Sequence, residues 1–105
     1  MGFDQRAMRD MMKQAQQMQA QMEKAQAALA EEVVEGSSGG GAVTAAVTGQ
    51  LELKSITISK DVVDPDDVEM LQDLVLSAVA EALEKAKARQ AEKLGAITGG
   101  LNLPF

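Results

Sequence analysis

Between Met8 and Leu29 the apolar residues Met8, Met11, Ala15, Met18, Met22, Ala25 and Leu29 recur at alternating gaps of three and four, the spacing of one a/d seam along an α-helix. A seam this narrow has to be covered by something, so the rest of the chain or a second chain must supply a partner. At about 100° per residue, Arg6, Arg9, Lys13 and Lys24 fall nearly opposite the seam, with Gln14, Gln16, Gln17, Gln19 and Gln21 on the flanks. One face packs and the other is basic. An ordinary coiled-coil helix with solvated lysines and arginines has the same outline. Here, however, methionine at four seam positions gives adaptable packing, and the glutamines add no negative charge beside the basic face.

The chain has 105 residues and no internal repeat, enough for one domain spanning 1–105 with a modest core. It contains no Cys, His, Tyr or Trp. Disulfides, thiolate nucleophiles and thiolate metal sites are therefore excluded, and acid–base chemistry is left to carboxylates, Lys and Arg. No catalytic, cofactor-binding or metal-binding residue is assigned, no cofactor is expected, and the chain is not expected to be an enzyme. The cluster Asp64, Asp66, Asp67 and Glu69 lacks the alternation and glycine of an EF-hand and fits a helix start better than a cation site. The N-terminus has no signal-peptide pattern, and no apolar run approaches the ~20 residues that span a bilayer. The expectation is a soluble cytoplasmic protein with neither a membrane partner nor a small-molecule substrate.

After Leu29 the helical spacing fails. Residues 31–36 read as a strand, and Gly36 to Gly41 as a turn. A phosphate-binding loop would need Gly-Lys-Ser/Thr opening a helix, whereas Ala42-Val43-Thr44 opens a strand. Residues 42–48 alternate as a half-buried strand, and Gly49-Gln50 turns into a third strand over 51–59. In that strand Leu51 and Leu53 share one parity and Ile56 and Ile58 the other, which requires a bulge near Lys54-Ser55 or burial on both faces. Asp64 then reads as an N-cap with Pro65 at the first helical position, opening a helix over 65–94 and leaving 95–105 as a tail. Val68, Leu71, Leu74, Val75, Ala78, Val79, Ala82, Leu83 and Ala86 are its expected core face. The reading is α+β, in the order α-β-β-β-α, with two long helices flanking a three-stranded antiparallel sheet.

The formal charge of −6 counts against a nucleic-acid partner when taken as a sum. Its distribution does not, because the acids gather mid-chain and most bases lie toward the two ends. A helix of roughly 28 residues spans about 40 Å, more than a small sheet covers, so both helices are expected to overhang. That would place Arg6, Arg9 and Lys13 on one protruding end and Lys85, Lys87, Arg89 and Lys93 on the other.

The blocks Met12-Lys13-Gln14-Ala15-Gln16-Gln17-Met18-Gln19, Asp66-Asp67-Val68-Glu69-Met70-Leu71-Gln72-Asp73-Leu74-Val75 and Gly99-Gly100-Leu101-Asn102-Leu103-Pro104-Phe105 resemble the YbaB/EbfC family of bacterial nucleoid-associated proteins. The N-terminal Met1 to Arg6 is shorter and less glycine-rich than is usual in that family. The resemblance implies a tweezer-like homodimer that binds double-stranded DNA in the nucleoid and alters its conformation, compacting it or modulating gene expression. The phosphate contacts would then be Arg6, Arg9, Lys13, Lys24, Lys85, Lys87, Arg89 and Lys93. Met8, Met11, Ala15, Met18, Met22 and Leu29 would form the dimer or core seam. With Phe3 and Phe105 the only aromatics, there is no platform for stacking single-stranded bases, and no recognition helix is discernible, so duplex binding with little sequence dependence is expected. The general plan also resembles prefoldin-type chaperone subunits, which grip unfolded chains with coiled-coil tips. That alternative predicts exposed apolar side chains at the tips.

Overall fold

The computed structural model describes residues 4–99. Its elements are α1 (Gln5–Glu31), β1 (Val33–Ser38), β2 (Val43–Thr48), β3 (Leu53–Ile58) and α2 (Val68–Gly99). The strands form one antiparallel sheet in the order β1-β2-β3. The fold is α+β, two long helices flanking a three-stranded meander, as the periodicities predict.

Asp4 starts α1 from an extended backbone, its Oδ1 accepting from the Arg6 N–H at 3.2 Å. The helix ends at Glu31. Glu32 turns extended, its N–H reaches back to the carbonyls of Ala28 and Leu29, and the β-branched pair Val33-Val34 opens β1. This junction is stitched to the turn between β2 and β3. The Gly49 N–H donates to Leu29 O at 2.9 Å and to Glu32 O at 3.0 Å, and Gln50 Nε2 donates to Gln26 O at 2.8 Å.

Strand β1 runs past the expected end at 36, because Gly36, Ser37 and Ser38 pair with Ala45, Thr44 and Val43. The turn shrinks to Gly39–Gly41, three glycines all at positive φ, where any side chain would be strained. Gly36 lies under α2, and a Cβ there would overlap Ala78 O and Ala82 N. On the helix side, Ala78, Ala82 and Ala86 are fully buried. Small residues on both surfaces thus let the helix backbone settle onto β1, and Val43, Ala45 and Val47 of β2 complete the core. The Ser38 hydroxyl donates to Leu74 O at the end of this contact.

Strand β3 resolves its parity conflict by a bulge. Ser55 faces Ala46 and Leu53 faces Val47, leaving Lys54 as the extra residue. Leu53, Ile56 and Ile58 consequently lie opposite Val47, Ala45 and Val43 on the inner face of the sheet. In the preceding turn the left-handed residue is Leu51, with φ 67, while its side chain packs on the core.

The start of α2 differs from the sequence reading. Asp64 Oδ1 accepts from the Asp66 N–H at 2.9 Å, and Asp64 O accepts from the Asp67 N–H at 3.0 Å. That closes a turn before the helix, so capping passes to Asp67, whose Oδ1 accepts from the Met70 N–H at 3.2 Å. The helix begins at Val68, which as a first-turn residue is 51% exposed and stands outside the core. At its other end α2 continues to Gly99, taking in the first five positions of the expected tail. The remainder of that tail, with Phe3 and Phe105, lies outside the described residues.

Candidate nucleic-acid interface

The seam of α1 divides in two. Ala25 and Leu29 are buried, Met18 and Met22 are half-buried, and every described residue up to Gln17 is exposed. Met8, Met11 and Met12 are 50%, 62% and 60% exposed. Among the described residues the α2 side chains nearest this point, Lys93 and Ile97, line a groove with Gln21, Lys24, Ala25 and Ala28. The first thirteen residues of α1 therefore form a free arm, about 20 Å long at the helical rise. Arg6, Arg9 and Lys13 are exposed on it, and none has an ion-pair partner among the described residues.

The bases of α2 are not on a second overhang, contrary to the sequence reading. Following α2 from Leu74 to Ile97, its neighbours run backward through Ser38, Gly36, Glu35 and Glu32 to Ala25 and Gln21. Helix α2 is thus antiparallel first to β1 and then to the end of α1. Its basic stripe lies beside the α1–β1 junction. Lys85 Nζ donates to Glu35 O at 3.0 Å and pairs with Glu81 at 3.2 Å. Lys93 Nζ pairs with Glu32 Oε1 at 3.1 Å, and Arg89 Nε lies 3.4 Å from Glu32 Oε2 and Nη1 3.9 Å from Glu92 Oε2. Lys24 shares its groove with Lys93, and Lys87 is exposed with no ion pair among the described residues. The eight candidate bases therefore fall into an arm group (Arg6, Arg9, Lys13), a junction group (Lys24, Lys85, Arg89, Lys93) and Lys87 apart.

Glu32, which organises the junction group, is not among the residues singled out from the sequence. It looks there like one more acid after a helix, and its bond to Lys93 closes across 61 positions. The acids Asp61, Asp64, Asp66, Asp67, Glu69 and Asp73 gather at the opposite end, around the start of α2. Asp4 and Asp10 remain on the arm beside its three bases, so the arm's positive excess is small, along a molecule with principal extents of 78 × 24 × 17 Å.

A second surface is apolar. Because α2 covers β1 and β2, every residue of β3 is exposed, including Leu53 at 50%, Ile56 at 39% and Ile58 at 39%. Ile58 lines a groove with Leu71, Gln72, Val75, Leu76 and Val79 of α2, and Leu76 is 70% exposed.

These features define a class of small α+β proteins in which a half-covered sheet carries a protruding basic helix. The chain belongs to the YbaB/EbfC DNA-binding family, whose model matches residues 4–101. It is 55% identical over 97 residues to a nucleoid-associated protein of Alkaliphilus metalliredigens, covering 92% of this chain and 85% of that one. A nucleoid-associated protein of Ruminiclostridium cellulolyticum is 57% identical over 94 residues, with 90% and 82% covered. The fold matches the crystal structure of the uncharacterized protein HP0035 from Helicobacter pylori with a TM-score of 0.75, at 16% identity, covering 92% of this chain and 99% of that chain.

Proposed function

We propose that the protein binds double-stranded DNA as a homodimer, through phosphate contacts with little sequence preference. Binding bends or bridges the duplex within the bacterial nucleoid, in the cytoplasm, and so compacts it or modulates gene expression. The observation that carries this reading is the exposed arm on which Arg6, Arg9 and Lys13 have no ion-pair partner among the described residues. At physiological salt the Debye length is about 8 Å, so a phosphate at the arm responds to these cations and to Asp4 and Asp10 beside them, a net positive set, rather than to the acids at the far end of a 78 Å molecule. Lys24, Lys85, Lys87, Arg89 and Lys93 extend the same surface toward the sheet. The family membership and the names of the relatives support DNA as the ligand.

A salt-titrated gel shift with duplex and single-stranded probes tests the proposal. Three arm cations in each of two subunits correspond to a log–log salt slope of at least about −5, at ~0.9 per phosphate. Reversing Arg9 and Lys13 to Glu should weaken binding to every duplex alike and flatten that slope. Reversing Lys54 and Lys60, at the sheet, should change little. The opposite pattern, or preference for single strands, defeats the proposal.

The exposed methionines of the arm favour one other reading, a holdase that grips unfolded chains. Strong binding of an apolar dye by the native protein, with salt-independent DNA affinity, would establish it in place of the first.

A further inference from the structure

The carboxylate of Glu32 lies between the cations of Arg89 and Lys93. It is held by Lys93 Nζ at 3.1 Å and by Arg89 Nε at 3.4 Å. Both contacts are open to replacement. The side chains of Arg89 and Lys93 are 54% and 35% exposed, a setting in which ion pairs are weak. Arg89 approaches Glu32 through Nε at 3.4 Å and Glu92 through Nη1 at 3.9 Å, both long for bonds from the two-pronged face of a guanidinium. A phosphate accepts two parallel bonds from such a face at ordinary hydrogen-bond distance and holds it better. Glu32 Oε2 is buried and makes no hydrogen bond, so the present arrangement leaves this acceptor unsatisfied. The groove beside it, lined by Glu32, Arg89, Glu92, Lys93 and Ala96, opens to solvent, so water can reach the carboxylate once its cations turn outward.

We propose that Glu32 is a built-in stand-in for phosphate: it occupies Arg89 and Lys93 in the free protein and gives them up to the DNA backbone on binding. This rests on the duplex-binding reading above. Glu32 thereby lowers affinity, since each engagement first breaks its two pairs, and it keeps the junction cations from acting as a permanently open anion site. Lys24, across the neighbouring groove from Lys93, extends the path a phosphate strand would follow.

The test measures duplex affinity against salt for the wild-type protein, Glu32→Gln and Lys93→Gln, with circular dichroism to confirm folding. Glu32→Gln keeps the shape and an acceptor but removes the charge. It should bind about three- to tenfold tighter, the range that follows from releasing exposed ion pairs. Lys93→Gln should flatten the slope by about 0.9 per subunit, because a phosphate contact is lost. A purely structural staple would behave differently: Glu32→Gln would bind no tighter than wild type, and Lys93→Gln would leave the slope unchanged. Either result overturns the proposal while leaving DNA binding intact. Failure of the wild-type protein to bind duplex at all overturns the functional reading instead. Should Glu32→Gln not fold, the Lys93→Gln slope decides alone.

Discussion

A single hydrogen at the α-carbon of Gly36 is what allows α2 to rest on β1. The atoms that a methyl group would meet there are backbone, Ala78 O and Ala82 N, and cannot swing aside as a side-chain tip would. Gly36→Ala should therefore destabilise the fold by roughly 3 kcal/mol, the upper end of overpacking, read as a drop in the midpoint of urea unfolding. Gly40→Ala makes the contrast. Nothing lies within 4 Å of an added Cβ there, and only the positive φ of 68 opposes it. The loss should be about 1 kcal/mol. Equal effects at the two positions would mean that α2 does not approach the sheet as closely as described. From the sequence Gly36 reads as the first residue of a turn, because glycine beside Ser-Ser and three more glycines is local turn chemistry. Its actual role comes from residues more than forty positions away, which no local pattern contains.

At the scale of elements, two apolar surfaces are candidates for the contact of the proposed homodimer. The arm carries Met8 and Met11 along a narrow line. The groove between β3 and α2 joins Ile58 to Leu71, Val75, Leu76 and Val79 in one patch. A patch broad enough to exclude water from its centre is the better interface, since a single row of flexible methionines leaves its neighbours wet. Ile58→Asp with Leu76→Asp should therefore halve the mass seen by sedimentation at micromolar concentration, while Met11→Asp keeps two subunits together. Dissociation by Met11→Asp alone would move the interface to the arm. The sequence made the elements themselves legible: the three-four spacing marked α1, alternation marked β2, and the split parity of Leu53 and Ile56 called for a bulge near Lys54-Ser55 or burial on both faces, of which the fold takes the bulge. It placed the start of α2 too early, because Asp64-Pro65 has the chemistry of a cap and Asp67, three residues later, has it too. The partners of Arg89 and Lys93 were not legible either. Spacing shows that the two share a helix side, but not that β1 brings Glu32 to meet them.

Over the whole molecule, the acidic end and the basic arm are separated by most of a 78 Å length. Whether the acids oppose DNA binding is then a question of screening. Asp61→Asn, Asp66→Asn and Glu69→Gln, which leave Asp64 and Asp67 to shape the start of α2, should change duplex affinity by less than about twofold at 0.15 M salt, where the Debye length is ~8 Å. At 0.01 M, where it is ~30 Å and still shorter than that separation, the effect should grow but stay small. A large effect at the higher salt would show that the acids approach the DNA. One last property follows from the way α1 joins the sheet. The last turns of this 27-residue helix are held by α2, Gly49 and Gln50, and the arm up to Gln17 stands clear of them. With an arm of ~20 Å, a bend of ~10° where the packing begins sweeps the tip by ~3.5 Å, about one base-pair step of duplex. In the proposed homodimer the gauge of DNA admitted between a pair of arms would then be set where each arm leaves the core, so a change at Met18 or Met22 would retune it without altering any cation proposed to touch the duplex.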